Sequence, residues 1–201
     1  MSQPMVLPEK GCLHAPFFVF LKPNVELEDR VVLTLLGLET HVRTEPSRGT
    51  HGSEHVYLTS VGGWLHVVDD WRYTLWNRGH SVVEAVARAP LFHTVFSCAV
   101  GDSDWSYGFA LYESGELRRR IEVADPFYDR KRHRVDVDVG APLQAELPCE
   151  EVGDDPLDYV LALARSVGVV VEHDVAKVRC YVPPAQSNSE SRRRPRAGGC
   201  R

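Results

Sequence analysis

The clearest pattern of apolar and polar positions lies within residues 92–123. Trp105, Tyr107, Phe109 and Leu111 alternate there with small or polar residues. Successive side chains of a β-strand point to opposite faces, so this period of two predicts a strand with one buried face. Turns rich in Gly and Asp flank the strand, and the whole stretch therefore predicts a meander of three short antiparallel strands.

More strands are predicted before the meander. Residues 17–21 are apolar throughout, as in a central strand, and Pro23 ends the run. Residues 56–68 contain two apolar runs joined by a Gly-Gly turn, which is typical of a hairpin. Residues 71–76 alternate in the same way and predict a third strand beside that hairpin.

After the meander the pattern predicts an edge strand and two closing strands. Residues 134–139 (RVDVDV) alternate so strictly that we expect an edge strand with its three valines pointing inward. Residues 169–171 and 175–182 are apolar runs that we expect to close the sheet.

The first predicted helix covers residues 25–36. Asn24 is a suitable N-cap, acidic residues crowd the first turn, and Gly37 stands at a plausible C-cap. The competing interpretation is a strand over residues 31–36, because several of its side chains are β-branched.

Two later helices carry sequence signals at their ends. Residues 81–84 have the form of a capping box, and Ala89-Pro90 ends the helix that follows. In the last helix Asp155 is a natural N-cap, Pro156 fits the first helical position, and Gly168 ends an apolar stripe.

These elements predict an α+β fold. We expect a largely antiparallel sheet of six to eight strands with two or three helices packed on one face or end. Residues 1–183 form a single predicted domain, and the Arg-rich residues 184–201 are predicted to be a disordered tail.

The net charge of −5 conceals an asymmetry along the chain. The tail from Pro184 holds five arginines and one glutamate, which leaves −9 on residues 1–183. An acidic body repels phosphate, so specific nucleic-acid binding is not expected, whereas a basic protein partner would be attracted. The alternative interpretation is that the acidic surface serves solubility alone.

The cysteines and the apolar runs point to the cytoplasm. Five widely spaced cysteines give neither a disulfide framework nor zinc-ribbon spacing, which predicts reduced thiols. No apolar run approaches the ~18 residues that a membrane span needs, so membrane insertion is not expected. No nucleotide-binding or nucleophile motif is found, and no cofactor is expected.

The segment His51-Gly-Ser-Glu54-His55 matches the H-x-x-E-H pattern of one class of zinc metalloproteases. That chemistry needs both histidines on one face of a helix, whereas Gly, Pro and Ser surround this segment and a predicted strand follows it. Two loop histidines are the favoured interpretation. A small metal-dependent hydrolase that uses His51, Glu54 and His55 remains the alternative.

Acidic turns beside tryptophans are the favoured binding sites. Paired carboxylates near aromatic rings suit glycoside hydrolysis, but Asp in turns is explained by its bonds to local backbone amides. Aromatic and charged side chains also anchor protein interfaces. The predicted binding residues are Asp69, Asp70, Trp71, Arg72, Asp102, Asp104 and Trp105. The basic run Arg118–Arg120 lies on a predicted strand, and its outward members are expected on the solvated face.

The run DWSYGFALYESGELRRRIEV, with the VGAPL segment and the DPLDYVLALARSVGV helix, resembles an uncharacterised family of small bacterial α+β proteins. The resemblance covers roughly residues 92–182 and implies no activity, although some such proteins resemble immunity or interaction proteins. The first hypothesis is therefore a non-enzymatic cytoplasmic binding protein with an unidentified protein partner, such as an immunity-type inhibitor.

Overall fold

Nine strands form one antiparallel sheet in the order β2-β9-β3-β4-β1-β5-β6-β7-β8. The structure is a computed structural model that describes residues 17–45, 54–69, 74–78, 80–101, 105–124, 133–152, 155–172 and 175–184. The strands are β1 (Phe17–Pro23), β2 (Val42–Thr44), β3 (Val56–Val61), β4 (Trp64–Asp69), β5 (Phe92–Val100), β6 (Tyr107–Glu113), β7 (Glu116–Ala124), β8 (Arg134–Gly140) and β9 (Arg179–Val182). The α-helices are α1 (Asp29–Leu35), α2 (His80–Arg88) and α3 (Pro156–Ser166).

The sheet has a hydrophobic core on each face. Helix α3 packs on one face through Val160, Leu161 and Leu163, whereas α1 and α2 pack on the other. The predicted α+β class with one antiparallel sheet is confirmed. The strand count of nine slightly exceeds the predicted range, and the helices divide between the two faces instead of sharing one.

Strand β1 lies at the centre of the sheet, as its uninterrupted apolar sequence predicts. It pairs with β4 on one side and β5 on the other. Phe18 and Phe20 enter the α3 core, while Phe17, Val19 and Leu21 enter the α1–α2 core. All five side chains are buried because each face of the strand has its own core.

The predicted meander is confirmed as β5, β6 and β7. Tyr107, Phe109 and Leu111 enter the α3 core, but Ala110 and Tyr112 on the opposite face are buried as well. The alternating side chains of β6 therefore enter two different cores, one on each face of the sheet, instead of a core on one face and solvent on the other. Trp105 precedes β6 and is only half-buried, so it is not part of this core.

The first helix is shorter than predicted. Helix α1 begins at Asp29 after Glu28, whose side chain makes no capping bond, so Asn24 is not the N-cap. The Asn24 amide instead donates to the Pro90 carbonyl at 3.1 Å. The helical interpretation of residues 31–36 is confirmed as far as Leu35, and Gly37 follows at a φ of 69°.

The hairpin is confirmed, but two neighbouring predictions are wrong where the structure describes them; residues 71–73 of the predicted third strand lie outside the described residues. β3 and β4 pair around Gly62 and Gly63, both at positive φ. Residues 74–76 turn into a short 3-10 helix, Trp76–Arg78, because the Asp69 carboxylate binds their backbone amides. Helix α2 already begins at His80, so Ser81 lies inside it instead of capping it.

The final helix is confirmed at both ends. The Asp155 carboxylate accepts hydrogen bonds from the amides of Leu157 and Asp158, each at 3.1 Å. Gly168 follows the helix at a φ of 86°. Residues 169–171 are not a strand, although Val169 and Val171 are buried, and β9 begins only at Arg179.

Strand β8 ends the sheet, as its alternating sequence predicts. Its valines are not buried, however: Val135 is 43% exposed and Val139 47%, and Val137 is half-buried. A register shift in the β7–β8 pairing interrupts the alternation near Val135. No helix of the described residues covers this outer part of the sheet.

Candidate functional site

The two predicted binding turns follow strands that finish at the same end of the sheet. Asp69, the last residue of β4, is the register partner of Phe17, and Phe17 is also the partner of Ala99 in β5. Thus the strands leading to the turns are separated by β1 alone. Asp70, Trp71, Arg72, Asp102 and Asp104 themselves lie outside the described residues.

Asp69 is a buried residue that fixes the backbone at this end of the sheet. It is fully buried, and its carboxylate accepts hydrogen bonds from the amides of Thr74 (3.1 Å), Leu75 (2.6 Å) and Trp76 (3.0 Å). Three bonds to one carboxylate fix the course of the chain into the 3-10 helix. Asp69 therefore orients the aromatic residue that follows and does not itself reach the surface.

Trp76 is the aromatic centre of this region. Its ring meets Phe17 edge-on at 5.6 Å on one side and His80 edge-on at 5.6 Å on the other. The ring is half-buried, so part of it is covered by protein and part faces solvent. Trp105 is also half-buried, with its ring 6.5 Å from that of His133.

His80 and Glu122 form the charged part of the site. The Nε2 atom of His80 lies 2.8 Å from Oε1 of Glu122, and the Nη2 atom of Arg120 lies 2.6 Å from the same oxygen. Burial lowers the pKa of His80, the positive charge of Arg120 lowers it further, and Glu122 partly opposes both. His80 therefore lies against a carboxylate that Arg120 already compensates.

A cleft of about 160 Å³ opens beside Glu122. Trp76, Ser106, Glu122 and Asp136 line it, and Gly108 leaves room in its floor. A Cβ at Gly108 would lie 3.2 Å from Cγ of Glu122, so a larger residue would press on that side chain. We name this region, defined by Trp76, His80, Trp105, Glu122 and Asp136, the aromatic end.

Two wider concavities lie at the opposite end of the sheet. One of about 380 Å³ is lined by residues 23–27 and by Trp64, and one of about 300 Å³ lies beside Ser114-Gly115. The Lys22 ammonium sits 5.4 Å from the centre of the Trp64 ring, which occupies that aromatic surface. Among these three regions of the described residues, the aromatic end combines half-exposed rings with a cluster of charges, so it is the stronger candidate.

The histidine cluster of the alternative hypothesis is only partly described. Glu54 is exposed, and His55 is half-buried with its ring stacked against Tyr57 at 6.2 Å. Burial lowers the pKa of His55. The strand predicted after this segment is confirmed as β3, and His51 lies outside the described residues. Within the described ranges, no three acidic, His or Cys side chains form a group suited to a metal ion.

Sequence reasoning missed the role of Arg119. The sequence analysis placed only the outward members of the basic run on a solvated face and assigned Arg119 no partner, but Arg119 is 2% exposed and pairs with Glu146 and Asp138. Its Nε donates to Glu146 at 2.9 Å, and Nη1 donates to the Gly140 carbonyl at 3.0 Å. The signal was present, because Arg119 shares the strand parity of the core residues Ile121 and Val123.

Comparison with known protein families, curated proteins and solved structures finds no match to this chain. Among the described residues, none of the helices has the length and apolar character needed to cross a bilayer.

Proposed function

We propose that the chain is a non-enzymatic binding protein that holds a basic protein partner against the aromatic end, as an immunity-type inhibitor does. The observation that carries the proposal is the placement of half-buried Trp76 beside the His80–Glu122–Arg120 cluster at one end of a rigid sheet. Tryptophan and arginine are enriched among the residues that dominate binding energy at interfaces.

The geometry favours binding over catalysis. Oε1 of Glu122 already accepts bonds from Arg120 at 2.6 Å and 3.0 Å and lies 2.8 Å from His80. A general base needs a lone pair directed at the proton that it removes. In this cluster Oε1 of Glu122 is held by protein donors, which supports a role for the cluster as a fixed polar surface.

The acidic charge of residues 1–183 supports a basic partner. Complementary charge raises the rate of encounter, while a central aromatic anchor slows dissociation. We place the protein in the cytoplasm, which agrees with the free thiols of Cys98 and Cys149. Burial raises the pKa of the Cys98 thiol, so this cysteine is a core residue rather than a nucleophile.

The proposal is tested with the proteins encoded beside this gene. Each neighbouring reading frame is expressed alone and together with this chain, and growth is measured. One product is expected to stop growth unless the chain is present, and the purified pair is expected to bind. Replacing Trp76 with alanine should weaken that affinity about 30-fold, since a central aromatic anchor contributes about 2 kcal/mol.

A matched pair of charge reversals serves as the control. Glu122 pairs with Arg120 at the aromatic end, and Glu113 pairs with Arg118 at the opposite end of the neighbouring strand. Glu122→Lys should weaken binding, whereas Glu113→Lys should not, and thermal unfolding checks that each variant is folded. The proposal fails if no neighbouring product binds, or if only Glu113→Lys changes the affinity.

A further inference from the structure

Strand β8 forms the last position of the sheet in the described residues. It pairs with β7 through six register positions and has no strand on its other side in that part of the chain. An outer strand presents backbone N–H and C=O groups that another strand can pair with. β8 is seven residues long, which is ample for such pairing.

Several apolar side chains of β8 and of the neighbouring strand are also exposed. Val135 and Val139 are 43% and 47% exposed, and Leu117 on the neighbouring strand is 38% exposed. Exposed apolar side chains along an outer strand favour pairing with a further strand, which would cover them. The protective devices that β8 carries are its bulge and its charges; lysine and proline, which often block an outer strand, do not occur in it.

The charged residues near β8 favour one kind of partner strand over others. Asp136 and Asp138 alternate with the valines, and the Asp138 side chain is 63% exposed. Asp136 pairs with Arg134 of the same strand, whereas Asp138 and Glu146 share Arg119, so these carboxylates outnumber the arginines that they pair with. The acidic character continues beyond the strand, because residues 135–164 contain no lysine, arginine or histidine. The acidic residues of this stretch are Asp136, Asp138, Glu146, Glu150, Glu151, Asp154, Asp155 and Asp158.

We infer that β8 binds an extended segment of the partner in which apolar and basic residues alternate, so that the segment becomes a tenth strand. Main-chain hydrogen bonds supply the affinity, valine contacts bury the apolar side chains, and the carboxylates select basic ones. Asp136 belongs both to β8 and to the cleft at the aromatic end. The inference rests on the proposed function and names the chemistry of its partner.

Synthetic peptides test this inference without the natural partner. The probe is an acetylated Lys-Val-Lys-Val-Lys-Val-Lys peptide, and the controls are a peptide of the same composition in blocks and one with Glu in place of Lys. Binding is measured by calorimetry at low salt, and amide hydrogen exchange locates it. The alternating basic peptide is expected to bind about tenfold more tightly than either control and to slow exchange in β8.

The two outer strands supply a matched pair of variants. Val139 in β8 and Val42 in β2 are 47% and 48% exposed. Val139→Asn should weaken peptide binding about fivefold, since a cross-strand apolar pair contributes up to about 1 kcal/mol. Val42→Asn should leave it unchanged.

Three results would overturn the inference. The first is equal binding of the alternating and block peptides, which indicates general charge attraction. The second is equal sensitivity to Val139→Asn and Val42→Asn. The third is self-association of the free chain that Val139→Asn abolishes, because a second copy then covers β8. If the peptides fail while the natural partner still depends on Trp76, only this inference falls and the proposed function stands.

Discussion

Replacing Asp69 with alanine is expected to lower the free energy of unfolding by about 3–5 kcal/mol. The carboxylate is fully buried and accepts bonds from the amides of Thr74, Leu75 and Trp76. Each buried donor left without an acceptor costs about 1–3 kcal/mol. Urea unfolding followed by circular dichroism measures the loss, and near-ultraviolet spectra report whether Trp76 keeps its packing.

Two variants show whether burial causes the effect. Asp155 also binds two backbone amides, but it is an exposed helix cap, so Asp155→Ala is expected to cost only about 1 kcal/mol. Asp69→Asn keeps one acceptor oxygen and should fall between the two. A loss at Asp69→Ala no larger than that at Asp155→Ala would contradict the positioning role assigned to Asp69.

Replacing Arg119 with methionine is expected to cost about 3–5 kcal/mol. Arg119 is buried, and the Glu146 side chain that it pairs with is only 7% exposed. The hydrogen bonds that Arg119 donates to the Glu146 carboxylate raise the pKa of Arg119, while burial opposes this change. Removing the arginine leaves a buried carboxylate without a counter-charge, which is among the largest single-residue costs in proteins.

The double variant Arg119→Met with Glu146→Leu isolates the unpaired charge. It should recover most of the stability lost by the single variant, because a buried pair replaced by apolar groups is often neutral. The exposed helical pair of Glu84 and Arg88 provides a control, and Arg88→Met is expected to cost at most about 0.5 kcal/mol. A double variant no more stable than the single one would contradict this explanation.

The elements with local sequence signals were predicted well. β1 has an uninterrupted apolar run, and the β3–β4 hairpin has two glycines at positive φ. The α3 helix has an N-cap aspartate followed by proline. In each case neighbouring residues determine the backbone, so the sequence alone is sufficient.

The features that depend on tertiary structure were not predicted. Ala110 and Tyr112 look like an outer face of β6 until α2 is seen to cover that side of the sheet. The path after β4 depends on the buried Asp69 carboxylate, and no local pattern shows that its oxygens turn inward. The strand parity of Arg119 indicated the core, but its acceptor Glu146 is 27 residues away.

The predicted binding residues stay a prediction, since Asp70, Trp71, Arg72, Asp102 and Asp104 lie outside the described residues. Trp105 and the ends of the strands before both turns do lie at one end of the sheet, as the register shows. His80 and Glu122 were not predicted, because they are 42 residues apart and only the packing of α2 on the sheet brings them together. Asp69 contributes by positioning Trp76.

Amide hydrogen exchange of the chain in complex with its partner tests the central claim most directly. The account predicts slower exchange in the complex at the start of α2, at residues 105–108 and along β8. It predicts no change at Gly62-Gly63 or Ser114-Gly115, which lie at the opposite end of the sheet. Protection confined to those two turns, with the aromatic end unchanged, would contradict the account.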